Sequence, residues 1–223
     1  MTTEVQNNVQ TNEEQSFLAV AKQRRSVRSY DPEWRIPQEE LQDILETAIL
    51  APSSSNLQPW RFLVLQDAEL KRKLLPIAYN QQQVVEASAV IAVFADPMGY
   101  EKAEQIYSSA VAAGYMPEMV KADFVKRSVQ TYSSLGEDKL KSISLVDGGL
   151  VSMQLMLAAK AKGYDTVPMG GYDANKFMEA FDVPQRWVPV MLIALGKAAK
   201  EGHPTTRLPL SEVVFWDSFE TRA

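Results

Sequence analysis

The sequence predicts an α+β domain, a small mixed central sheet enclosed by helices. Three observations carry this expectation. The apolar runs "WRFLVLQ", "SAVIAVFAD" and "WVPVMLIALG" have the length and composition of buried strands. Most segments between them repeat their apolar residues at helical spacing. At 223 residues the chain is long for one domain and short for two, and it holds no linker, internal repeat or low-complexity block.

In chain order, residues 1–13 are polar and predict a flexible N-terminal tail, and residues 14–223 are read as one domain. A first helix starts near Ser16 and carries "FLAVAKQRR". "DPEWRIP" is a loop punctuated by Pro32 and Pro37. Pro37 opens a second helix: Leu41, Ile44, Leu45, Ala48 and Ile49 recur at helical spacing, acidic residues fill the first turn, and Pro52 lies beyond the end. "SSSNLQP" is a loop before the first strand, and "DAELKRKLLPIAY" is a short helix before the second. Residues 98–142 are polar, mixed and mostly helical, with the least distinct pattern in the chain. "SLVDGGLVSMQLMLAAKAKG" is a long helix, apolar on most sides, where Gly148, Gly149, Ala158 and Ala159 permit close helix contact and Gly163 serves as a C-cap residue. "YDTVPMGGYD" holds a short strand and a Gly-Gly turn, and "DANKFMEAF" is a helix. After the last buried strand, "HPTTRLPLSEVVFWDSF" forms an extended arm, about 205–219 in its outer part, that is strongly apolar for a surface segment.

Composition excludes several function classes. The net charge of −5 and pI of about 5.1 argue against a general nucleic-acid binder. The absence of cysteine excludes disulfides, thiolate metal sites and Cys nucleophiles. The single histidine, His203, leaves little scope for a His-rich metal site or a Ser-His-Asp triad. The N-terminus lacks an apolar signal core, and no window approaches 18 uninterrupted apolar residues. No membrane association is expected, and a cytoplasmic location is.

Four stretches could carry chemistry, and each also has a purely structural reading. "RRSVRSYDP" sets Arg24, Arg25 and Arg28 around Ser26 in an acidic chain; guanidinium forks and a hydroxyl suit a phosphate, but cations also suit a helix C-terminus. "APSSSNLQPW" supplies serine and amide groups for a polar planar ligand edge, or is simply a helix-to-strand turn. "VPMGGYD" lets the backbone lie close to something flat, or turns with positive φ. It is neither a dinucleotide fingerprint nor a Walker A loop. Arg207 in "TTRLPL" is a further cation, or an ordinary surface arginine. Asp147 and Glu86 are available carboxylates with no partner at a telling spacing.

Taken together, "RRSVRSYD", "APSSSNLQPWRF", "YNQQQVVEASAVI", "GYDTVPMGGYD" and "RLPL" resemble, in order and spacing, the nitroreductase family of FMN-dependent NAD(P)H oxidoreductases, closest to the small NAD(P)H nitroreductases of bacilli. The resemblance runs from about Phe17 to Leu210. It implies the nitroreductase-like α+β fold in an intertwined homodimer, with FMN at the subunit interface. In it, Arg24 and Ser26 match phosphate-side residues, Arg28 matches the cation at the pyrimidine end of the ring, and Asn80 matches a ring contact. Pro168, Met169, Gly170 and Gly171 match the segment near N5, and Arg207 matches a second phosphate ligand. Pro52, Ser53, Ser54 and Asn56 match the loop that comes from the other subunit. Arg25 joins these as a cofactor-binding candidate. Three positions depart from some members: Gly170-Gly171 replaces Glu-Gly, Gln83 replaces a Lys near N1 and O2, and Thr205 replaces a second phosphate cation.

The resemblance further implies hydride transfer from NADH or NADPH and ping-pong reduction of a nitroaromatic or quinone-like acceptor. The chemistry resides on FMN N5, so no catalytic side chain and no metal are expected. Alternatives are a more specialised flavin reaction on the same fold, such as dehalogenation, enoate reduction or flavin fragmentation, and a non-enzymatic FMN-binding protein. Residues 97–137 are where such specificity would reside.

Overall fold

The computed structural model describes residues 16–219. The expected tail at 1–13 lies outside the described residues. Helix α1 (Phe17–Gln23) is capped by Ser16, whose hydroxyl accepts from Ala19 N. It ends two residues before the expected Arg25 because Arg24 is already extended. Helix α2 (Gln38–Ala48) buries Leu41, Ile44 and Ala48, the spacing read from the sequence.

Strand β1 (Trp60–Leu65) leads to α3 (Ala68–Ile77), the short α4 (Gln83–Glu86) and the wholly buried β2 (Ala89–Ala95). The indistinct region resolves into two helices, α5 (Ala103–Ala112) and α6 (Glu118–Ser133), joined through Gly114 in a left-handed conformation. Their apolar face is small and local. Tyr100, Ala103, Tyr107, Val125, Tyr132 and Leu140 form a satellite cluster with Leu57, apart from the main core, which explains the weak periodicity. Helix α7 (Glu137–Ala161) follows, then β3 (Asp165–Met169), α8 (Ala174–Ala180), β4 (Val188–Gly196) and the short α9 (Leu210–Val213) in the C-terminal arm.

The strands lie in the order β1-β2-β4-β3, and all three neighbouring pairs are antiparallel. Parallel pairing enters through a bridge between Ser26 and Thr166, which lays the arginine-bearing segment along the outer edge of β3. One sheet face packs on α3 and α8 around Leu74, Phe94, Phe177 and Leu192. The other packs on α2 and α7 around Ile44, Ile91, Val151, Leu155 and Ile193.

Helix α7 is two-sided. Asp147, Gly148, Val151, Leu155, Ala158 and Ala159 turn inward, while Leu145, Val146, Leu150 and Met153 are exposed. Of its small residues, Gly148 faces Val190 of β4, Gly149 has open space at its Cβ position, and Ala158 and Ala159 join the cluster that α7 shares with α2 and the sheet. By length and composition alone α7 could cross a membrane, but half of that stretch is buried in the protein, as in a core helix.

A Cβ on Gly148 would stand 2.5 Å from Val190 Cγ2. Val190 is β-branched and cannot rotate away freely. Gly148→Ala is therefore expected to destabilise the fold. The overpacking costs about 1–3 kcal/mol, against a helix-propensity gain of about 1 kcal/mol. Thermal denaturation should show a Tm lower by a few degrees, whereas Gly149→Ala, with nothing within 4 Å of its Cβ position, should raise it slightly.

Candidate functional site

Two groups of the sequence-predicted residues gather at opposite edges of the sheet, with Ser26 level with the end of β1 and the serine loop beyond its start. The first lies on the β3 edge. Val27 N donates to Thr166 O at 3.1 Å, so residues 24–28 run extended beside β3. Side chains of an extended segment alternate in direction. Arg24, Ser26 and Arg28 share one side, while Val27 is buried in the core on the other.

Arg25 shares the Val27 side. Its guanidinium donates to the carbonyls of Lys22 (2.6 Å) and Arg24 (2.9 Å), and it lines a groove of about 700 Å³ with Lys22, Lys160, Asp165 and Glu201. The structure thus sets Arg25 apart from Arg24, Ser26 and Arg28, with its guanidinium on backbone carbonyls at the end of α1.

At the exit of β3 an amide network takes over. Tyr79 and Asn80 are both left-handed (φ 53° and 58°), and their turn joins α3 to α4. Gln81 Nε2 donates to Gly171 O at 2.7 Å. The buried Gln83 donates from Nε2 to Gln81 Oε1 at 3.0 Å and lies 3.9 Å from Met169 Sδ. Buried Lys71 ties α3 to the end of α4 through the carbonyls of Val85 and Ala87, and burial lowers its pKa. Gly170 is exposed with open space at its Cβ position, and neither Gly170 nor Gly171 has a left-handed φ. The glycine pair therefore bares the backbone rather than making a positive-φ turn. Near the start of β3, Thr166 Oγ1 is buried without a hydrogen-bond partner among the described residues.

The second group is the loop before β1. Ser55, Asn56 and Gln58 all take left-handed φ values, 50°, 54° and 47°. Non-glycine residues persist there only when the surroundings over-determine them. Here Ser53 Oγ accepts from Gln58 N, Tyr107 OH donates to Ser55 O, Ser55 Oγ meets Tyr132 OH, and Ser54 donates its N–H and hydroxyl to buried Asp147. A cleft of about 430 Å³ opens beside Ser55 and Asn56, walled by Tyr107, Phe124, Arg127 and Tyr132 from α5 and α6. Pro52 and Asn56 are exposed on this loop.

The arginine-bearing segment, outside β3, lies four strand spacings, about 19 Å across the sheet, from β1. Arg207 is not drawn into either group. It is exposed on the arm, bonded to Thr205 and Thr206, five residues past the point where Gly202 lies against Ser26 O.

Sequence reasoning gave no role to three residues that build these groups, although it noted the Asp147 carboxylate. Asp147 fixes Ser54 from 93 positions away, Gln81 secures Gly171 from 90 away, and Tyr107 holds Ser55 from 52 away. No local pattern marks such pairs. Glu86, the other unassigned carboxylate, accepts from Tyr30 N and is structural.

The comparisons agree with one another. The chain is 50% identical over 202 residues to "Putative NAD(P)H nitroreductase YdgI" of Bacillus subtilis (strain 168), covering 90% of this chain and 97% of that one. It is 35% identical over 187 residues to a CLA biosynthesis enone reductase of Lactiplantibacillus plantarum, covering 82% and 86% of the two chains. A crystal structure from Exiguobacterium sibiricum 255-15, solved in complex with FMN, superposes with a TM-score of 0.88 at 47% identity over 91% of this chain and 98% of that one. The family profile described as Nitroreductase matches residues 21–197, most of the chain, and the chain belongs to the nitroreductase family.

Proposed function

We propose that the protein is an FMN-dependent oxidoreductase that takes hydride from NADH or NADPH and reduces nitroaromatic or quinone-like acceptors in ping-pong order. The observation that carries this is the β3 edge: Arg24, Ser26 and Arg28 project from one side of a segment hydrogen-bonded to a strand that ends in bare glycine backbone beside Gln83. The donor set fits FMN. Arg24, Ser26 and Arg207 would hold the phosphate dianion. Asn80, Gln83 and Arg28 would meet the ring's polar edge, and Pro168 to Gly171 would lie along its reactive side. FMN, when bound, supplies hydride acceptance and donation at N5. The protein binds, orients and excludes water.

Within one chain the serine loop lies about 19 Å across the sheet from the arginine-bearing segment, too far for both to line one ring. We therefore read the functional unit as an intertwined homodimer, in which Pro52, Ser53, Ser54 and Asn56 of a second copy cover the ring. Three exposed apolar features support this reading. They are Leu145, Val146, Leu150 and Met153 on α7, Phe17 and Leu18 on α1, and Leu208, Leu210, Val213 and Trp216 on the arm. Helices α5 and α6 would wall the acceptor slot beside the loop. A cytoplasmic location suits a cysteine-free chain that uses reduced nicotinamide cofactors.

A second reading, reduction of an enone, is favoured by the likeness to the enone reductase. The absorbance spectrum of purified protein, before and after NADH or NADPH without oxygen, tests the first reading. Flavin bands that bleach support it and rank the donors. Protein that neither carries nor takes up FMN overturns it. Turnover of an enone but of no nitroaromatic or quinone would favour the second.

A further inference from the structure

Each hydride delivered to a quinone or nitro oxygen must be matched by a proton, and none of the residues assigned above supplies one. Asp147 is 3% exposed, behind the serine loop. Among the described residues its hydrogen-bond partners are Ser54 N, at 3.1 and 3.2 Å from its two oxygens, and Ser54 Oγ at 3.3 Å. No salt bridge reaches it among those residues. Ser54 and Asp147 also line a small cavity with Ser144 from α7, Tyr132 from α6, Tyr100, and Asp96 from the end of β2. Its volume of about 20 Å³ admits one water, and its walls offer that water several polar partners.

The charged group that faces Asp147 across this cavity is Asp96, which is held by Arg186 at 2.7 Å and Arg61 at 3.8 Å. Arg186 also pairs with Glu101 and Arg61 donates to the carbonyls of Gln58 and Trp60, so both cations have partners other than Asp147. Tyr100 and Tyr132 are the other titratable groups in the lining. Burial raises the Asp147 pKa, and the two Ser54 hydrogen bonds oppose that only in part.

We infer that Asp147, acting through Ser54 Oγ, supplies the proton to the acceptor in the oxidative half of the reaction. The inference rests on the flavin reading above. The Asp147 O–H bond breaks as its proton passes to Ser54 Oγ, while the Ser54 hydroxyl proton passes to an acceptor oxygen. The acceptor receives its hydride from the cofactor, so a quinone leaves as the hydroquinone. Asp147, left as carboxylate, regains a proton from water. The half-reaction with NAD(P)H transfers hydride alone and needs no proton donor. Asp147 serves as the reservoir, and Ser54 is the group that touches the acceptor.

The test uses the full chain with Asp147→Asn, Ser54→Ala and Ser54→Thr. Asp147→Asn keeps the shape and the acceptor oxygen for Ser54 but carries no titratable proton. Three readouts are taken: FMN titration of the apoprotein, stopped-flow rates of both half-reactions across pH with 1,4-benzoquinone, and the infrared carboxylic C=O band of the apoprotein. In the wild type the oxidative rate should fall as pH rises through the Asp147 pKa. Asp147→Asn should bind FMN within about threefold and leave the reductive half unchanged, whereas Ser54→Ala alters the loop that covers the ring and is read by its oxidative pH profile. Their oxidative half should slow by about 10²-fold and lose that pH dependence, and Ser54→Thr should restore it. The carboxylic band should vanish in Asp147→Asn. An unchanged oxidative pH profile in Asp147→Asn, or no protonated carboxyl in the wild type at any pH where it turns over, overturns the inference. If Asp147→Asn fails to fold, Ser54→Ala decides by the same profile. Wild-type protein that takes up no FMN overturns the flavin reading instead, and the infrared band distinguishes the two failures because it is read without cofactor.

Discussion

Replacing Val146 and Leu150 together with glutamate is expected to yield a folded monomer that retains no FMN. Both side chains are exposed on the outer face of α7, 63% and 43%, so neither substitution disturbs the packing of the sheet-facing side. Helices α1 and α2 both pack on α7, and Phe17 and Leu18 on α1 and Ile49 and Leu50 just past α2 are exposed as well. Each large aliphatic side chain buried there on association contributes about 1.5–3 kcal/mol. Two pairs of facing carboxylates would replace that gain with desolvation and like-charge repulsion of several kcal/mol. Light scattering after size exclusion should report half the mass, with far-UV circular dichroism preserved. FMN should be lost in the same step, because the serine loop and the arginine-bearing segment lie at opposite sheet edges and, on the dimer reading proposed above, one chain would offer only half of each slot. A monomer that binds FMN with undiminished affinity would place the whole site within one chain and remove the reason for reading the loop as a second copy's. A dimer that survives would move the interface elsewhere.

Much of this architecture was legible because it is written locally. The three buried runs and the period of α2 declared themselves through side-chain spacing, and all became the elements expected. Helices α5 and α6 did not, because they face a small satellite cluster and leave most of their surface in solvent. The glycine-containing turn of α7 was visible, but not its direction. A small residue permits close approach equally to a helix or a sheet, and only Val190, 42 positions later, shows which occurs at Gly148. The site divides similarly. Its arginines, serines and glycines stand out as unusual local chemistry, and their family spacing gathers them. Asp147, Gln81 and Tyr107 act over 52 to 93 residues of chain and are ordinary residues in their own neighbourhoods. The sheet edge also separates neighbours that the sequence treats alike, most sharply Arg24 and Arg25.

That separation predicts unequal effects from adjacent substitutions. Arg24→Ala should weaken FMN binding by about 10- to 100-fold, the worth of a charge-assisted hydrogen bond to a phosphate at roughly 1.5–3 kcal/mol. Arg25→Ala should change it by no more than about threefold, since its guanidinium is turned back onto the carbonyls of Lys22 and Arg24 and faces the groove with Lys160 and Asp165. Arg25→Ala should instead lower stability by about 0.5–1.5 kcal/mol through the loss of those bonds at the end of α1. Fluorescence titration of the apoprotein with FMN, and with riboflavin as a probe that lacks the phosphate, separates the roles. Arg24→Ala should bind riboflavin as the wild type does, whereas Arg25→Ala should show normal affinity for both and a lower Tm. The Arg24 contribution should also shrink as salt is raised, because the phosphate end is where solvent meets Arg24 and the exposed Arg207. Equal losses from the two substitutions would mean that Arg25 leaves its carbonyls to join the phosphate when FMN binds, and the alternation that now divides residues 24 to 28 would not govern the loaded site.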